Sequence, residues 1–365
     1  MRNLTIGFIG LGLIGGSIAK SLRHRFPNYK IIAYNRSNKA RELALEEGVA
    51  DIATEKIDSN FSECDYIFLC TPVEYNVLYL KKLKDIISPN CIITDVGSVK
   101  GNIHEAVLSE GMERNFIGGH PMAGSEKTGY ENANRYILEN AYYVITPTTV
   151  VSKESVAEFT SIVAATGAIP VQLDYHEHDY AVAAISHVPH LIAAKLVTLV
   201  KDSDSPCQTM KMLAAGGFKD ITRIASSSPE MWQQICSTNV ENITKLMDDY
   251  IASMTEIRNA ISNHEFTAVH DLFEVSREYR NSFSDHRSGP ILKVYALYLD
   301  LADESGAISN VARILADADI SIKNIGIIHN REFEDGVLKI EFYDNESLDR
   351  STKLLPDAGY KIYRR

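Results

Sequence analysis

His120 lies in Gly119-His120-Pro121-Met122-Ala123-Gly124-Ser125-Glu126, a loop shaped by glycine and proline. An imidazole with an ordinary pKa of about 6.5 can take up a proton near neutral pH, so His120 is a candidate general base; a structural or exposed histidine also fits such a loop. Glu126, six residues on, either tunes that imidazole or caps a turn. Ser98, within Asp95-Val96-Gly97-Ser98-Val99-Lys100, offers a hydroxyl. Arg223 closes Gly216-Gly217-Phe218-Lys219-Asp220-Ile221-Thr222-Arg223, where a guanidinium can hold a carboxylate through two parallel hydrogen bonds, with Asp220 available to orient it. Lys219 stands one helical turn before Arg223 on the same face, either as added charge for a dianion or as a solvated lysine. Ser186-His187-Val188-Pro189-His190 carries two histidines three residues apart, one of them suited to a buried structural place. His176, Glu177, His178 and Asp179 add metal-ligand types, but nothing fixes a coordination geometry and no metal site is assigned.

Gly10-Leu11-Gly12-Leu13-Ile14-Gly15 is a G-x-G-x-x-G between an apolar strand-like run and a helical stretch, the setting in which this pattern holds a dinucleotide. The first glycine permits a tight turn, the second lets a diphosphate approach the backbone, and the third packs helix on strand. The phosphates then meet the positive end of the helix, which makes Gly10, Gly12, Leu13, Ile14 and Gly15 candidate cofactor contacts. The second strand ends at Tyr34-Asn35-Arg36-Ser37, without the acid that ordinarily holds the ribose 2′-hydroxyl of NAD. Asn35 can still bond a free hydroxyl, whereas Arg36 can meet a 2′-phosphate, stack on adenine or remain solvated, and Ser37 follows as a further candidate contact. NAD is expected, with NADP left open. Thr71 and Pro72, just past the strand run Tyr66–Cys70, are assigned to the same cofactor, as is Ser98.

These groups need rigid elements behind them. From Leu4 to about Asp174, β-branched and aromatic runs alternate with amphipathic stretches, the pattern of βαβ units in a doubly wound parallel α/β sheet of Rossmann type. Strands are expected at Thr5–Ile9, Lys30–Tyr34, Tyr66–Cys70, Cys91–Asp95, Asn115–Gly118, Tyr142–Thr146 and Ile169–Leu173, with helices including Gly15–Arg25 and Lys39–Glu47. From Tyr175 to about Asp285 helical periodicity takes over, with Leu191, Leu196, Met212, Ile243, Met247, Ile251, Ile257 and Ile261 spaced as core faces. After the polar run Ser284–Pro290 the order is strand Lys293–Leu301, helix Ser305–Ala318, strands Ser321–His329 and Gly336–Tyr343, helix Ser347–Ala358 and strand Tyr360–Tyr363. That is a ferredoxin-like βαββαβ module. The expected domains are 1–174 for nucleotide binding, 175–285 as an all-helical region and 291–365 as the small module.

Composition narrows the classes. The 365 residues carry 37 Lys+Arg against 48 Asp+Glu, a net charge of −11, and the basic residues form no run longer than a pair, which disfavours nucleic-acid binding. Five widely spaced cysteines without a C-x-x-C point to the cytosol rather than to a disulfide framework. The apolar opening from Leu4 to Ala19 is broken by Gly7, Gly10, Gly12, Gly15 and Gly16, and Ala181–Val200 by His187, Pro189, His190 and Lys195, so no membrane span is expected and the latter reads as a buried helix.

Taken together and in this order, the four motifs Asp95–Lys100, Gly119–Glu126, Ser186–His190 and Gly216–Arg223 closely resemble the prephenate dehydrogenase family, which includes the arogenate dehydrogenases. The resemblance implies oxidative decarboxylation of prephenate, or of arogenate, with hydride transfer to a nicotinamide nucleotide, and a homodimer formed through the helical region. It matches His120 to the base that meets the ring hydroxyl and Ser98 to a serine touching that hydroxyl and the nicotinamide. It matches Arg223 to the partner of the ring carboxylate, His190 and Ser186 to the substrate-side helix, Ser125 and Glu126 to residues gating the pocket, and Trp232 to an aromatic at its edge. The tail resembles an ACT domain, with Ser305 where many have proline, and this implies tyrosine bound near Asp303, Gly306 and Asn324 as a feedback inhibitor, or an assembly module without a ligand. Two other readings stay open: another β-hydroxyacid dehydrogenase, which shares the glycine-rich opening but leaves His120 and Arg223 unexplained, and a non-catalytic sensor of nucleotide and amino acid.

Overall fold

The computed structural model describes residues 2–124, 127–283, 295–302, 304–328 and 336–363. The chain forms two compact units, Met1–His270 and Asp271–Arg365.

In the first unit, Thr5-Ile6-Gly7-Phe8-Ile9 is apolar on both faces, as a strand covered on both sides must be, and it forms β1 at the centre of a sheet. The elements that follow are α1 (Leu13–Arg25), β2 (Lys30–Tyr34), α2 (Asn38–Glu46), β3 (Ile52–Thr54), β4 (Tyr66–Leu69), α3 (Val73–Lys84), β5 (Ile92–Asp95) and α4 (Gly101–Glu110). The five strands run parallel in the order β3-β2-β1-β4-β5. The order reverses between β1 and β4, so the crevice at their carboxyl ends is where such a sheet takes its ligand. Gly10 and Thr71 lie at those two ends.

The next elements are β6 (Ile117–Pro121), β7 (Tyr142–Pro147), α5 (Lys153–Ala165) and β8 (Ile169–Gln172). They form a three-stranded sheet with β6 and β7 antiparallel and β7 and β8 parallel, joined to β5 by the bridge Ile93–Phe116. The alternating pattern showed the strands but neither this change of direction nor the short β3, whose three residues are all half-buried. The expected strand at Asn115–Gly118 runs on to Pro121, which carries His120 on a strand end rather than in a free loop. Phe8, Phe68, Tyr143 and Phe159 fill the core on one face, and Ile9, Ile67, Leu80, Leu83, Ile93 and Phe116 fill the other.

α6 (Tyr175–Val182) continues without a break through a π-helical turn, Ala183–His187, into α7 (Val188–Ser203). Pro189 explains the turn, because proline has no N–H to give inside a helix. The ladder shifts to i→i−5 there, with Val188 N bonded to Ala183 O, and such turns cluster at functional sites. α8 (Thr209–Leu213), α9 (Gly216–Thr222), α10 (Pro229–Thr238), α11 (Val240–Ser262) and α12 (Phe266–Ser282) complete the helices. Tyr175–Ser203 is long and apolar enough to cross a membrane, yet His178, Asp179 and His187 are buried and hydrogen-bonded within the unit, which ties this helix to the fold.

The expectation of a buried helix at Ala181–Val200 is corrected: Ile185, Val197 and Leu199 are exposed. So are Met212, Ile251 and Ile261, which were expected on core faces. The buried helical core is small, Ala183, Val188 and Ile243 with Leu191 and Met247 packed against it, so one chain leaves much of the apolar helical surface uncovered.

The second unit is built from β9 (Tyr295–Leu301), α13 (Ala307–Asp317), β10 (Ile322–Ile328), β11 (Gly336–Phe342), α14 (Asn345–Asp357) and β12 (Ile362–Tyr363). Its sheet has the order β10-β11-β9-β12 with every pairing antiparallel, the ferredoxin-like topology. Leu297, Leu299, Val311, Leu315, Leu338 and Ile340 form its core. The run Ser284–Pro290, Lys293, His329 and Asp303 lie outside the described residues.

Candidate active site

The glycine loop is shaped to receive an anion. Gly10 has φ +100°, and a Cβ there would stand 2.8 Å from the Cys70 carbonyl oxygen. A Cβ on Gly15 would lie 2.4 Å from the Gly10 oxygen, so helix and turn close only on glycine, whereas one on Gly12 would meet nothing within 4 Å. Gly12 is the N-cap of α1 with no side-chain cap, and the first turn holds no acid. The helical ladder starts with Gly16 N on Gly12 O at 2.9 Å, which leaves the N–H groups of Leu13, Ile14 and Gly15 at the positive helix end, the arrangement a diphosphate fits.

The neighbouring turn is preorganised. Leu11 N donates to Asn35 Oδ1 at 3.2 Å, so the Asn35 side chain braces the glycine loop and keeps only its amide N–H groups for a ribose. Arg41 Nη1 donates to the carbonyls of Asn35 and Arg36 at 2.7 and 3.1 Å, and Ser37 Oγ accepts from Ala40 N as the cap of α2. The Arg36 guanidinium lies 5.5 Å from the Tyr75 ring centre, a cation–π distance. Across the crevice, Thr71 Oγ1 donates to Asn76 Oδ1 at 2.6 Å and Pro72 is the N-cap of α3.

His120 belongs to a buried chain of polar groups. Its Nδ1 lies 2.8 Å from His178 Nε2, and His178 Nδ1 lies 2.8 Å from Asp179 Oδ1. Asp179 Oδ1 also accepts the N–H of Lys100 at 2.8 Å and its Oδ2 that of Gly101 at 2.7 Å, so it caps α4 from the helical part of the unit. The His120 ring is half-buried, and its Nε2 makes no hydrogen bond to a described residue. Burial first, then the neighbouring His178, Lys100 and His187, holds its pKa well below the ordinary histidine value, so the ring is neutral at pH 7 and has a lone pair to accept a proton.

Beneath it, Lys100 is fully buried and its ammonium donates to Asp95 Oδ2 and, at 2.8 Å, to Gly119 O. Asp95 Oδ1 accepts Gly119 N at 3.2 Å and Oδ2 accepts Gly97 N at 2.9 Å. The ion pair thus clamps the strand residue just before His120 from both sides. Burial lowers the Lys100 pKa, and the Asp95 charge opposes that shift. Ser98 lies half-buried between these two groups in sequence.

The substrate side gathers around Trp232. His190 stacks on its indole at 4.1 Å and donates its Nδ1–H to Ser186 O at 2.7 Å. His187, the buried member of the pair, meets the indole edge-on at 6.0 Å and accepts from Asn239 Nδ2 at 3.3 Å. Asn239 Nδ2 also donates to Asp179 O at 2.8 Å, so the two histidine groups share one scaffold. Trp232 Nε1 is buried and without a hydrogen-bond partner. Arg223 follows α9 and starts a short turn packed on α7, the helix of His190; it and Lys219 are exposed. Ser125 and Glu126 lie outside the described residues. In the second unit, Gly306 has φ +92° at the N-cap of α13 and Asn324 is exposed on β10.

Sequence reasoning missed His178 and Asp179 as partners of His120, and it missed the structural use of Lys100 and Asn239. His178-Asp179 was visible only as ligand types. The N-cap spacing of Asp174 to a helix start would have placed both residues on one helix, but not opposite His120.

Two family profiles match the chain: prephenate dehydrogenase, nucleotide-binding domain, over residues 18–171, and prephenate dehydrogenase, dimerization domain, over residues 174–275. The chain is 37% identical over 355 residues to a prephenate dehydrogenase of Bacillus subtilis, covering 96% of this chain and 95% of that protein. Among solved structures, prephenate dehydrogenase from A. aeolicus in complex with hydroxyphenyl propionate and NAD+ superposes with a TM-score of 0.71 at 31% identity, covering 78% of this chain and 99% of that one. The arogenate dehydrogenase of Synechocystis gives a TM-score of 0.70 at 33% identity, covering 77% of this chain and all, 100%, of that one.

Proposed function

The chain belongs to the prephenate dehydrogenase family, and we propose that it converts prephenate to 4-hydroxyphenylpyruvate and CO₂ with NAD as hydride acceptor, in tyrosine synthesis. The observation that carries this reading is His120, an imidazole held neutral with Nδ1 tied down and Nε2 without a partner among the described residues, near the carboxyl end of β6, the strand bridged in parallel to the edge of the sheet whose glycine loop suits a dinucleotide.

Bound at that loop, the nicotinamide supplies the acceptor for the hydride leaving C4 of the ring. His120 Nε2 takes the proton of the ring hydroxyl, which frees the electron pair that becomes the carbonyl as hydride departs. Loss of the ring carboxylate as CO₂ makes the ring aromatic, and the proton on His120 returns to the ring oxygen, so no net proton is released. Ser98 borders the hydroxyl and the nicotinamide. Arg223 pairs with the ring carboxylate, with Lys219 adding charge, and His190, Ser186 and Trp232 line the side-chain end. Ser125 and Glu126 gate the entrance. Gly10, Gly12, Leu13, Ile14 and Gly15 hold the diphosphate; Asn35, Arg36, Ser37, Thr71 and Pro72 border the nucleosides. The amide of Asn35 suits a free ribose hydroxyl and favours NAD, while the Arg36 guanidinium keeps NADP as the competing cofactor.

Arogenate is the second substrate reading, because the likeness to an arogenate dehydrogenase is as close as that to a prephenate dehydrogenase. The uncovered apolar surface of the helices supports a homodimer, and all five cysteines are free, as a cytosolic enzyme would have them. The ferredoxin-like topology of the small C-terminal sheet supports reading it as an ACT domain, in which tyrosine bound near Asp303, Gly306 and Asn324 would inhibit. The test is the initial rate of nicotinamide reduction with prephenate and arogenate, each offered with NAD and NADP, without and with millimolar tyrosine. Turnover that His120→Asn lowers by about 10²–10⁴-fold is expected. Silence in all four combinations from folded, nucleotide-binding protein refutes the activity, and unchanged turnover in tyrosine refutes the effector.

A further inference from the structure

The polar chain behind His120 decides which of its two nitrogens is bare. At neutral pH an aspartate is an acceptor only, and both Asp179 oxygens already take backbone N–H groups, from Lys100 and Gly101. His178 Nδ1, 2.8 Å from Oδ1, must therefore carry the proton of that contact. A neutral imidazole with its proton on Nδ1 has only a lone pair at Nε2. The 2.8 Å contact between His178 Nε2 and His120 Nδ1 is then donated by His120, whose own lone pair falls on Nε2. His178 is 1% exposed and Asp179 is 5% exposed, so water does not compete for these bonds.

The structure assigns His178 and Asp179 as positioning residues that lock His120 in the Nδ1–H form and present Nε2 to the substrate hydroxyl. This rests on the reading of His120 as the base. When the hydroxyl O–H bond breaks and an Nε2–H bond forms, the imidazolium keeps its Nδ1–H bond to His178, and Asp179 supplies the balancing charge two rings away. The opposite tautomer would place N–H against the substrate hydroxyl and leave no acceptor for its proton. The same residues serve a second purpose. His178 and Asp179 stand together on α6, whereas His120 and the N-terminus of α4 that they meet belong to the sheet part, so the His120 tautomer is set only when the two parts are docked.

The experiment uses the full-length protein labelled with ¹⁵N-histidine, with the His120 resonances identified by their loss in His120→Asn. We expect a protonated Nδ1 and a bare Nε2 on His120 in the wild type, and a proton on Nε2 would overturn the assignment. Kinetics supply the second arm. His178→Leu removes the acceptor and should lower kcat by about 100-fold while KM and nucleotide affinity stay within about threefold; His178→Gln keeps an amide oxygen within reach and should retain at least about a tenth of wild-type kcat. Equal losses in Leu and Gln would reduce His178 to packing and overturn the proposal. Asp179→Asn reports the far end of the chain, where an amide N–H₂ must oppose either Gly101 N–H or the donors at Oδ1, and we expect kcat to fall at least about 100-fold. The kcat–pH profile should keep its acid limb below the ordinary histidine range in each active variant, because burial of the His120 ring, the largest cause of the shift, remains, as do the neighbouring Lys100 and His187. A limb moved up to that range would overturn the account. If His120→Asn itself leaves kcat unchanged, the base assignment fails while the measured tautomer stands, so the two failures are distinguishable.

Discussion

Acid should destabilise the first unit through two histidines that the fold holds neutral. His104 stacks on Tyr175 at 4.4 Å, meets Phe116 edge-on at 5.3 Å and pairs with Thr146 Oγ1 at 2.9 Å. Burial pushes its pKa down to about 4. Burial does the same to His187, also to about 4, with Asp179 opposing the shift and His178 and His190 adding to it. In the unfolded chain each titrates near about 6.5. As pH falls through that value the unfolded chain binds protons that the folded one refuses, so stability is full above about 6.5 and is lost progressively towards about 4. At about pH 5 each histidine costs about 2 kcal/mol relative to about pH 7.5, or about 4 kcal/mol for both. The assay is urea unfolding at the two pH values and one protein concentration, for wild type, His104→Gln and His187→Asn. Gln can keep the bond to Thr146, and Asn places an oxygen near the Nδ1 that accepts from Asn239. Carboxylate contributions cancel between variant and wild type, and each variant should lose about 2 kcal/mol less on acidification. A pH dependence equal to that of the wild type in both variants would refute the reasoning.

Three further outcomes follow from the site. Lys100→Met leaves the Asp95 carboxylate buried with backbone donors but no cation and should cost about 3–5 kcal/mol in urea unfolding. Gly15→Ala forces a methyl to within 2.4 Å of the Gly10 oxygen, and it should lower stability by about 1–3 kcal/mol and weaken nucleotide binding in a fluorescence titration. Arg223→Ala should raise KM for the substrate with little change in nucleotide affinity, whereas a pure loss of kcat would assign the guanidinium to the transition state instead.

Local chemistry was legible in the sequence wherever the chain itself carried the constraint. Gly10 and Gly15 could be assigned their places because a positive φ and a close approach each admit only glycine. The βαββαβ order of the tail was readable for the same reason, since each strand and helix announces its own period. Partnerships across the chain were not. His120 and His178 are 58 positions apart, and Lys100 N and Asp179 are 79 apart; no local pattern carries such a pairing. The π-helical turn at Ala183–His187 was hidden because Pro189 reads as a helix break, although the shifted ladder absorbs it. The exposed Met212, Ile251 and Ile261 were misplaced because periodicity marks an apolar face without saying whether this chain or a second copy covers it.

The segment from Asp95 to Gly101 carries more of the site than its two motif residues suggest. At one end Asp95 and Lys100 grip Gly119 by its N–H and its carbonyl, which fixes the strand that carries His120. At the other end the N–H groups of Lys100 and Gly101 grip Asp179, which fixes the chain of bonds that orients the His120 ring. Backbone position and ring tautomer of one histidine are thus set by the same seven residues, through two different carboxylates. Buried charge is a costly way to join a sheet to a helix if stability alone is the end, since apolar packing of the same volume does as well. Its use here makes sense if what must be held is a proton's location, because apolar contacts can place a ring but cannot tell its two nitrogens apart. Because the Lys100–Asp95 pair fixes the strand that carries His120, Lys100→Met should lower kcat by more than its loss of stability explains, measured well below the unfolding midpoint. A kcat within about twofold of wild type in that folded variant would show that the ion pair serves the fold alone.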